Sequence, residues 1–487
     1  MKSEGIHMNL LEKYIDVEHK YYIYGTGSFG MYCYKAIVET LGEDSVEAFV
    51  ESFPSASEWR GKPIISPDQI LYQQENVRII VASVTNSEEM RNRLLELKIP
   101  NWKIMILDEL MPYFRTLRSG NEVIESICLW PPVTAEKGFL AKKISWFAPG
   151  RITVVAFGDI TDFSCNIVEG QVENKKDIFE KVDKIYVWQA DAVDEDVKAF
   201  VNKVHIIDPN FFLYTESLNY DKLFYRSLDY EQRMAMVQRS KEIFIQMHEV
   251  SKLYRRANIF CSGPSIQEAY ERKYDGCFNI VCKSIVKDQQ LMHLLNPKVI
   301  VFTDINYYLS PTAYCSQFLQ DLKKTQKEYD SFVIVREYEV ALLLYHCPEL
   351  KGRVIGMDIK SINYSFPNEK ELQVKPTSNI MTELMLSVAS ALSDEIGIFG
   401  CTGRCPDENF YWQHNPNTQY HDLMQSIFDM YPSVFRDQGY ADYYDRHCNI
   451  VKEIIEYGQS MGKKYVNCTT SFIPALIQIS SEVADEK

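Results

Sequence analysis

The sequence predicts an α/β protein: two doubly wound parallel-sheet domains joined by a small α/β and helical connector. Three observations predict it. Aromatic and β-branched runs of strand length alternate with amphipathic helical stretches along most of the chain. Two such runs, near 21–24 and 257–260, pass straight into glycine-containing turns that open a helix. And 487 residues is a length for about three domains. The boundaries fall at 1–118, 119–255 and 256–487.

Residues 21–30 read YYIYGTGSFG, a strand running into Gly25-Thr26-Gly27-Ser28-Phe29-Gly30. A helical pattern follows, MYCYKAIVETL, then a strand, VEAFVES, ending at Glu51. GKPIISPDQI leads to a third strand, VRIIVASV, the amphipathic helix EEMRNRLLELKI and a short strand, WKIMIL. In a G-x-G-x-x-G turn, Gly25 permits the tight bend, Gly27 lets backbone approach a phosphate, and Gly30 lets the helix close on the strand. Glu51 stands about twenty residues on, where an acid would meet a ribose. The pattern predicts a nucleotide or dinucleotide crevice. A glycine turn is equally how such sheets turn a corner, and no residue pattern for hydride transfer accompanies it.

The connector carries the strands RITVVAF, KIYVWQA and HIID, a helix at DEDVKAFVNKV, and a long amphipathic linker helix from Tyr230. The last domain begins again as strand and turn, ANIFCSGPSI, with Gly263 and Pro264 setting the turn and Ser265 at a helix N-cap. NIVCKSIV, KVIVFTDIN, SFVIVR, EIGIFGCTGR and KKYVNCT are further strands. KPTSNIMTELMLSVASALS is a loop and capped helix, and NIVKEIIEYGQSMG another helix. In open α/β sheets ligands bind outside the carboxyl ends of the strands. Ser262, Lys283, Asp304 and Arg404 all fall at such ends, a convergence that marks a ligand site.

Composition limits the function classes. With 52 Lys and Arg against 67 Asp and Glu, the net charge is −15, which argues against a general affinity for nucleic acid or anionic lipid. No basic leader precedes an apolar stretch, and no run approaches the ~20 apolar residues of a membrane span. The expectation is a cytoplasmic protein, peripheral at the inner membrane face at most. The twelve cysteines are dispersed. They read as buried thiols in a reducing compartment, and Cys401-x3-Cys405 lacks a second ligand pair for zinc. No metal site is expected.

The N-terminal stretch 18–115, through GTGSFG, AFVES and GKPIISPDQI, resembles the Rossmann-like module at the start of bacterial sugar acyltransferases. Residues 256–475 resemble the sialyltransferase fold of glycosyltransferase family 42 and the related domain of motility-associated flagellin glycosyltransferases. The resemblance rests on FCSGPSI, VCKSIV, FTDIN, KPTSNIMTELMLSVASAL and HCNIVKEIIEYGQSMGKKYVNCT in that order. It implies metal-independent, inverting transfer of a nonulosonate- or Kdo-type sugar acid from a CMP-activated donor to a hydroxyl of a glycan, glycolipid or protein, in bacterial surface-glycan biosynthesis. It implies that the turn Ser262, Gly263, Pro264 and Ser265 meets the nucleotide, together with Lys283, Ser284, Asp304, Thr377 and Ser378. It also makes His447 the general base, placed at the start of the last helix. There the helix dipole would keep the imidazole neutral and able to take a proton.

Departures are informative. Lys283 stands where the family has Asn, and Asp304 where sialyltransferases have Asn. The two tyrosines that hold the leaving phosphate are replaced by Cys401-Thr402-Gly403-Arg404, with Tyr411 further on. Arg404 can take up that role, because a guanidinium binds phosphate through two parallel hydrogen bonds. His414 and His421 flank a polar stretch interrupted by Pro416 and read as part of a loop that can close over donor or acceptor, or simply as surface. Two other readings stand beside transfer. One is diphosphate transfer, as in pterin pyrophosphokinases, which needs carboxylates for magnesium. The other is a non-catalytic nucleotide-sugar-binding protein. A homo-oligomer is compatible with all three.

Overall fold

The computed structural model describes residues 10–54, 57–83, 86–110, 122–135, 138–211, 215–404, 414–437 and 441–479. The protein is α/β, with three separate, mostly parallel sheets. The chain divides into two compact units: residues 1–220 with 433–437, and residues 221–432 with 438–487.

The first sheet comprises β1 (Lys20–Tyr24), β2 (Val46–Val50), β3 (Glu58–Trp59), β4 (Lys62–Ile65), β5 (Val77–Val81) and β6 (Ile104–Ile106), in the order β3-β4-β2-β1-β5-β6. Its strands are parallel except for the β3–β4 hairpin, and the expected lead-in GKPII forms β4, a strand between β2 and the edge strand β3. Consecutive strands step outward on opposite sides of β1, so the switch point of the winding lies at the GTGSFG turn.

The connector holds a second sheet, all parallel. Its strands are β7 (Ser126–Val133), β8 (Thr153–Gly158), β9 (Ile167–Glu169), β10 (Lys184–Val187) and β11 (Val204–Ile206), in the order β11-β10-β7-β8-β9. Central β7 is a surprise, because its sequence SICLWPPV carries two prolines, which cannot donate to a ladder. The β7–β8 register is irregular between Leu129 and Val133, so both prolines sit where the ladder is interrupted.

The second unit is built on β12 (Arg256–Phe260), β13 (Cys277–Cys282), β14 (Val299–Val301), β15 (Phe332–Arg336), β16 (Val354–Met357), β17 (Glu395–Phe399) and β18 (Lys464–Asn467). Their order is β16-β15-β14-β13-β12-β17-β18, and every pairing is parallel. Both faces are covered, so the central strands read as unbroken apolar runs. The long helix Tyr230–Ser251, expected as a linker, belongs to this unit. Asp229 and Gln232 cap its start reciprocally. Ser240, Ile243, Phe244, Met247 and Ser251 form its buried stripe, and Ser240 Oγ accepts the Gly356 N–H of β16 at 3.0 Å. No helix among the described residues is long and apolar enough to cross a membrane. The described cysteines are all free thiols.

Candidate functional site

In the second unit β12 begins the sheet. β13 to β16 step away on one side, and β17 and β18 lie on the other. The crevice at the switch point therefore opens where β12 and β17 end. The register sets Phe260 level with Val281 and Phe399, so the turns after these strands emerge at one edge. The two central turns are bonded to each other. Gly263 N–H donates to Gly400 O at 2.9 Å, and a Cβ at Gly263 would meet that oxygen at 2.5 Å and Thr402 Oγ1 at 2.7 Å. Glycine is required there by close approach of backbone.

Ser265 serves this junction. Its N–H donates to Thr402 Oγ1 at 2.9 Å, and its hydroxyl lies 2.8 Å from Thr402 Oγ1 and 3.3 Å from Thr469 Oγ1. Pro264 follows Gly263 as the first residue of a 3₁₀ turn, Pro264–Glu271. Ser262 Oγ is hydrogen-bonded to His414 Nδ1 at 2.9 Å, and its carbonyl accepts the Asn415 N–H at 3.0 Å. The segment after His414 is held down as well. Lys287 Nζ donates to Gln419 O at 2.6 Å, and the Ser284 hydroxyl donates to Gln419 Oε1 at 3.2 Å. Tyr314 Oη also donates to Gln419 Oε1. Ser284 thus anchors a neighbouring segment.

Lys283 and Asp304 follow β13 and β14. Lys283 Nζ bonds Asp304 Oδ2 at 2.6 Å. Both have left-handed backbones, φ 52° and 70°, as does Ser378 at 57°. Such conformations disfavour side chains by about 1–2 kcal/mol each and collect at functional sites. Desolvation pushes the Asp304 carboxyl up, but the Lys283 and Arg336 cations outweigh it and hold the group below its ordinary 3.8.

Arg336, the last residue of β15, was not singled out by the sequence, and neither was Glu383. Arg336 Nε and Nη2 bond Glu383 Oε1 at 2.9 and 2.8 Å, while Nη1 donates to Tyr338 Oη at 3.1 Å. The other oxygen of Glu383 accepts the N–H groups of Thr377 and Ser378 at 3.2 and 3.3 Å. Glu383 lies in a π-helical turn, Met381–Met385, a rare geometry frequent at functional sites. So one buried carboxylate shapes the Thr377-Ser378 loop, and the Thr377 hydroxyl turns inward to Thr382 Oγ1 at 2.8 Å. Beside Arg336, burial pushes the Glu339 carboxyl up to about 8 and that of Asp221 up to about 6.

Arg404 lies after Gly403, whose φ is 74°. Its N–H donates to Tyr444 Oη at 2.9 Å, and its guanidinium lies 4.9 Å from the Tyr444 ring centre. His447 differs from expectation. It sits in the second turn of helix Ala441–Ser460, not at its start, so the dipole argument does not apply. The imidazole is 2% exposed, and burial alone pushes it down to about 4. His414 is pushed down to about 4 by burial and by Lys283 and His421. Tyr411 and Cys405 lie outside the described residues. Among the described residues no three His, Cys, Asp or Glu side chains are arranged to hold a metal ion.

The first unit carries the second glycine turn. Gly25 has φ 113°, and its N–H donates to Val50 O at 2.9 Å. A Cβ at Gly30 would collide with the Gly25 carbonyl, whereas one at Gly27 would meet nothing within 4 Å. Glu51, the expected ribose acid, accepts the Thr26 hydroxyl. A different concavity of about 610 Å³ lies among Glu18, His19, Tyr72, Trp102 and Lys103, at the amino ends of β1, β5 and β6. Ligands of such sheets bind at the opposite edge. Comparison of the chain with known protein families, curated proteins and solved structures finds no match.

Proposed function

We propose that the second unit is a bacterial surface-glycan glycosyltransferase that moves a sugar acid from a CMP-activated donor to an acceptor hydroxyl with inversion. One observation carries the reading. Beside the bonded turns after β12 and β17, Lys283 is paired with Asp304, both with left-handed backbones, and a buried carboxylate presents the Thr377-Ser378 loop. In this reading the turn 263–265 and the Thr377-Ser378 loop fix the nucleotide, and Lys283 and Arg404 neutralise the departing phosphate. In this reading the Gly25–Gly30 crevice holds a second nucleotide in a regulatory or docking role and is not the catalytic one. The test is a thermal-shift panel of CMP, CDP, UDP, GDP, ATP and NAD. A ligand at about 100 times its dissociation constant stabilises its unit by about 2.7 kcal/mol. CMP should do so without magnesium, and a panel in which CMP is silent rejects the reading.

Diphosphate transfer from a nucleoside triphosphate is a second reading, in which Asp304, at a strand end and held below its ordinary 3.8, is the carboxylate that would meet magnesium. Magnesium-dependent stabilisation by ATP, with none by CMP, selects it.

A further inference from the structure

We infer that His414 is the catalytic proton acceptor of the crevice and that Ser262 positions its ring. The inference rests on the glycosyltransferase reading and replaces His447 as its base. Ser262 stands in the turn directly after central β12, at the point where the winding reverses. Its hydroxyl and His414 Nδ1 are 2.9 Å apart, across 152 residues of sequence. Three further bonds keep His414 in place: Asn415 N–H to Ser262 O, and Lys287 Nζ to the carbonyls of Pro416 and Gln419. Burial, and after it the Lys283 and His421 charges, keep this imidazole neutral, the form that accepts a proton.

His447 lies in the second turn of its helix, 2% exposed, so an acceptor hydroxyl has little access to it.

With Nδ1–H donated to Ser262 Oγ, Nε2 carries the free lone pair. The acceptor oxygen forms a bond to the anomeric carbon, and its proton passes to Nε2. The bond from the anomeric carbon to the phosphate oxygen breaks, and its electron pair leaves on CMP. Because the Ser262 hydroxyl is engaged by the imidazole, it acts on the ring rather than on the nucleotide.

The experiment measures CMP release from CMP-N-acetylneuraminic acid and CMP-Kdo by the full chain, with CMP affinity measured in parallel. His414→Asn offers an amide N–H where Nδ1–H stands, and so keeps the bond to Ser262, but cannot take a proton. It should lower kcat by ~10²–10⁴-fold with CMP affinity unchanged. Added imidazole should restore part of the rate to His414→Ala. Ser262→Ala should lower kcat and leave CMP affinity alone. Near-normal turnover in His414→Asn, with a large loss in His447→Ala, overturns the inference and leaves the transferase reading standing. A wild-type chain that neither binds CMP nor releases it from either donor removes the reading, and the inference with it.

Discussion

Buried titratable side chains in the second unit pull its stability in opposite directions with pH. His414 and His447 stay neutral in the folded chain down to about 4, against an ordinary 6.5. Between those values only the unfolded chain takes up their protons, so stability falls as pH drops through that window. Glu339 has the reverse sign. Its folded carboxyl keeps its proton up to about 8, against an ordinary 4.5, so its contribution is lost as pH rises between the two. Glu339→Gln should therefore raise Tm by about 3 °C at pH 8, with the gain fading towards pH 5. Thermal unfolding across that range checks it, and an equal gain at both ends contradicts the assignment. Lys283→Ala and Arg404→Ala should each weaken CMP binding about 10- to 100-fold, as expected for a lost charge-assisted bond to phosphate. Calorimetric titration reads this directly.

The Thr377-Ser378 loop, the π-helical turn and the end of β15 form one mechanical element around Glu383. Removing its carboxylate leaves the Arg336 guanidinium without its acid and two backbone donors unpaired. Glu383→Ala should cost about 3 kcal/mol in urea unfolding and abolish CMP binding at concentrations that saturate the wild type. This element also shows where sequence reading stops. The glycine turns at Gly25 and Gly263 were legible, because strand, turn and helix lie within one short window. The strand ends at Lys283, Asp304 and Arg404 followed from the same local rule. The Arg336–Glu383 pair spans 47 residues and the Ser262–His414 pair 152, and no local pattern announces either. Strand β7 was hidden by its prolines, which the interrupted ladder tolerates. His447 was misplaced because the helix begins eight residues before the apolar pattern that starts at Asn449.

At the scale of the molecule, the two glycine turns open sheets of their own in different units, so their crevices are separable by mutation. Gly27 has an extended backbone and open space around its Cβ position. Gly27→Val should fold normally, obstruct the first crevice and leave CMP release by the second unit unchanged. Gly30→Ala should instead disrupt the first unit, because its methyl would meet the Gly25 carbonyl. Comparing soluble yield and CMP turnover of the two variants tests both statements. Loss of turnover in well-folded Gly27→Val would move the chemistry to the first unit.

The order β16-β15-β14-β13-β12-β17-β18 has a consequence for how the chain is made. β12 receives β13 on one edge soon after synthesis, but its other edge awaits β17. Ala257 pairs with Ile396, and 396 − 257 = 139 residues separate them. At 5–20 residues per second a ribosome takes roughly 7–28 s to supply that partner. Throughout this interval the nascent chain presents an apolar strand edge, the kind of surface that recruits other strands. Nascent chains halted before residue 395 should therefore bind holdase chaperones or aggregate, and chains released after β17 has emerged should not.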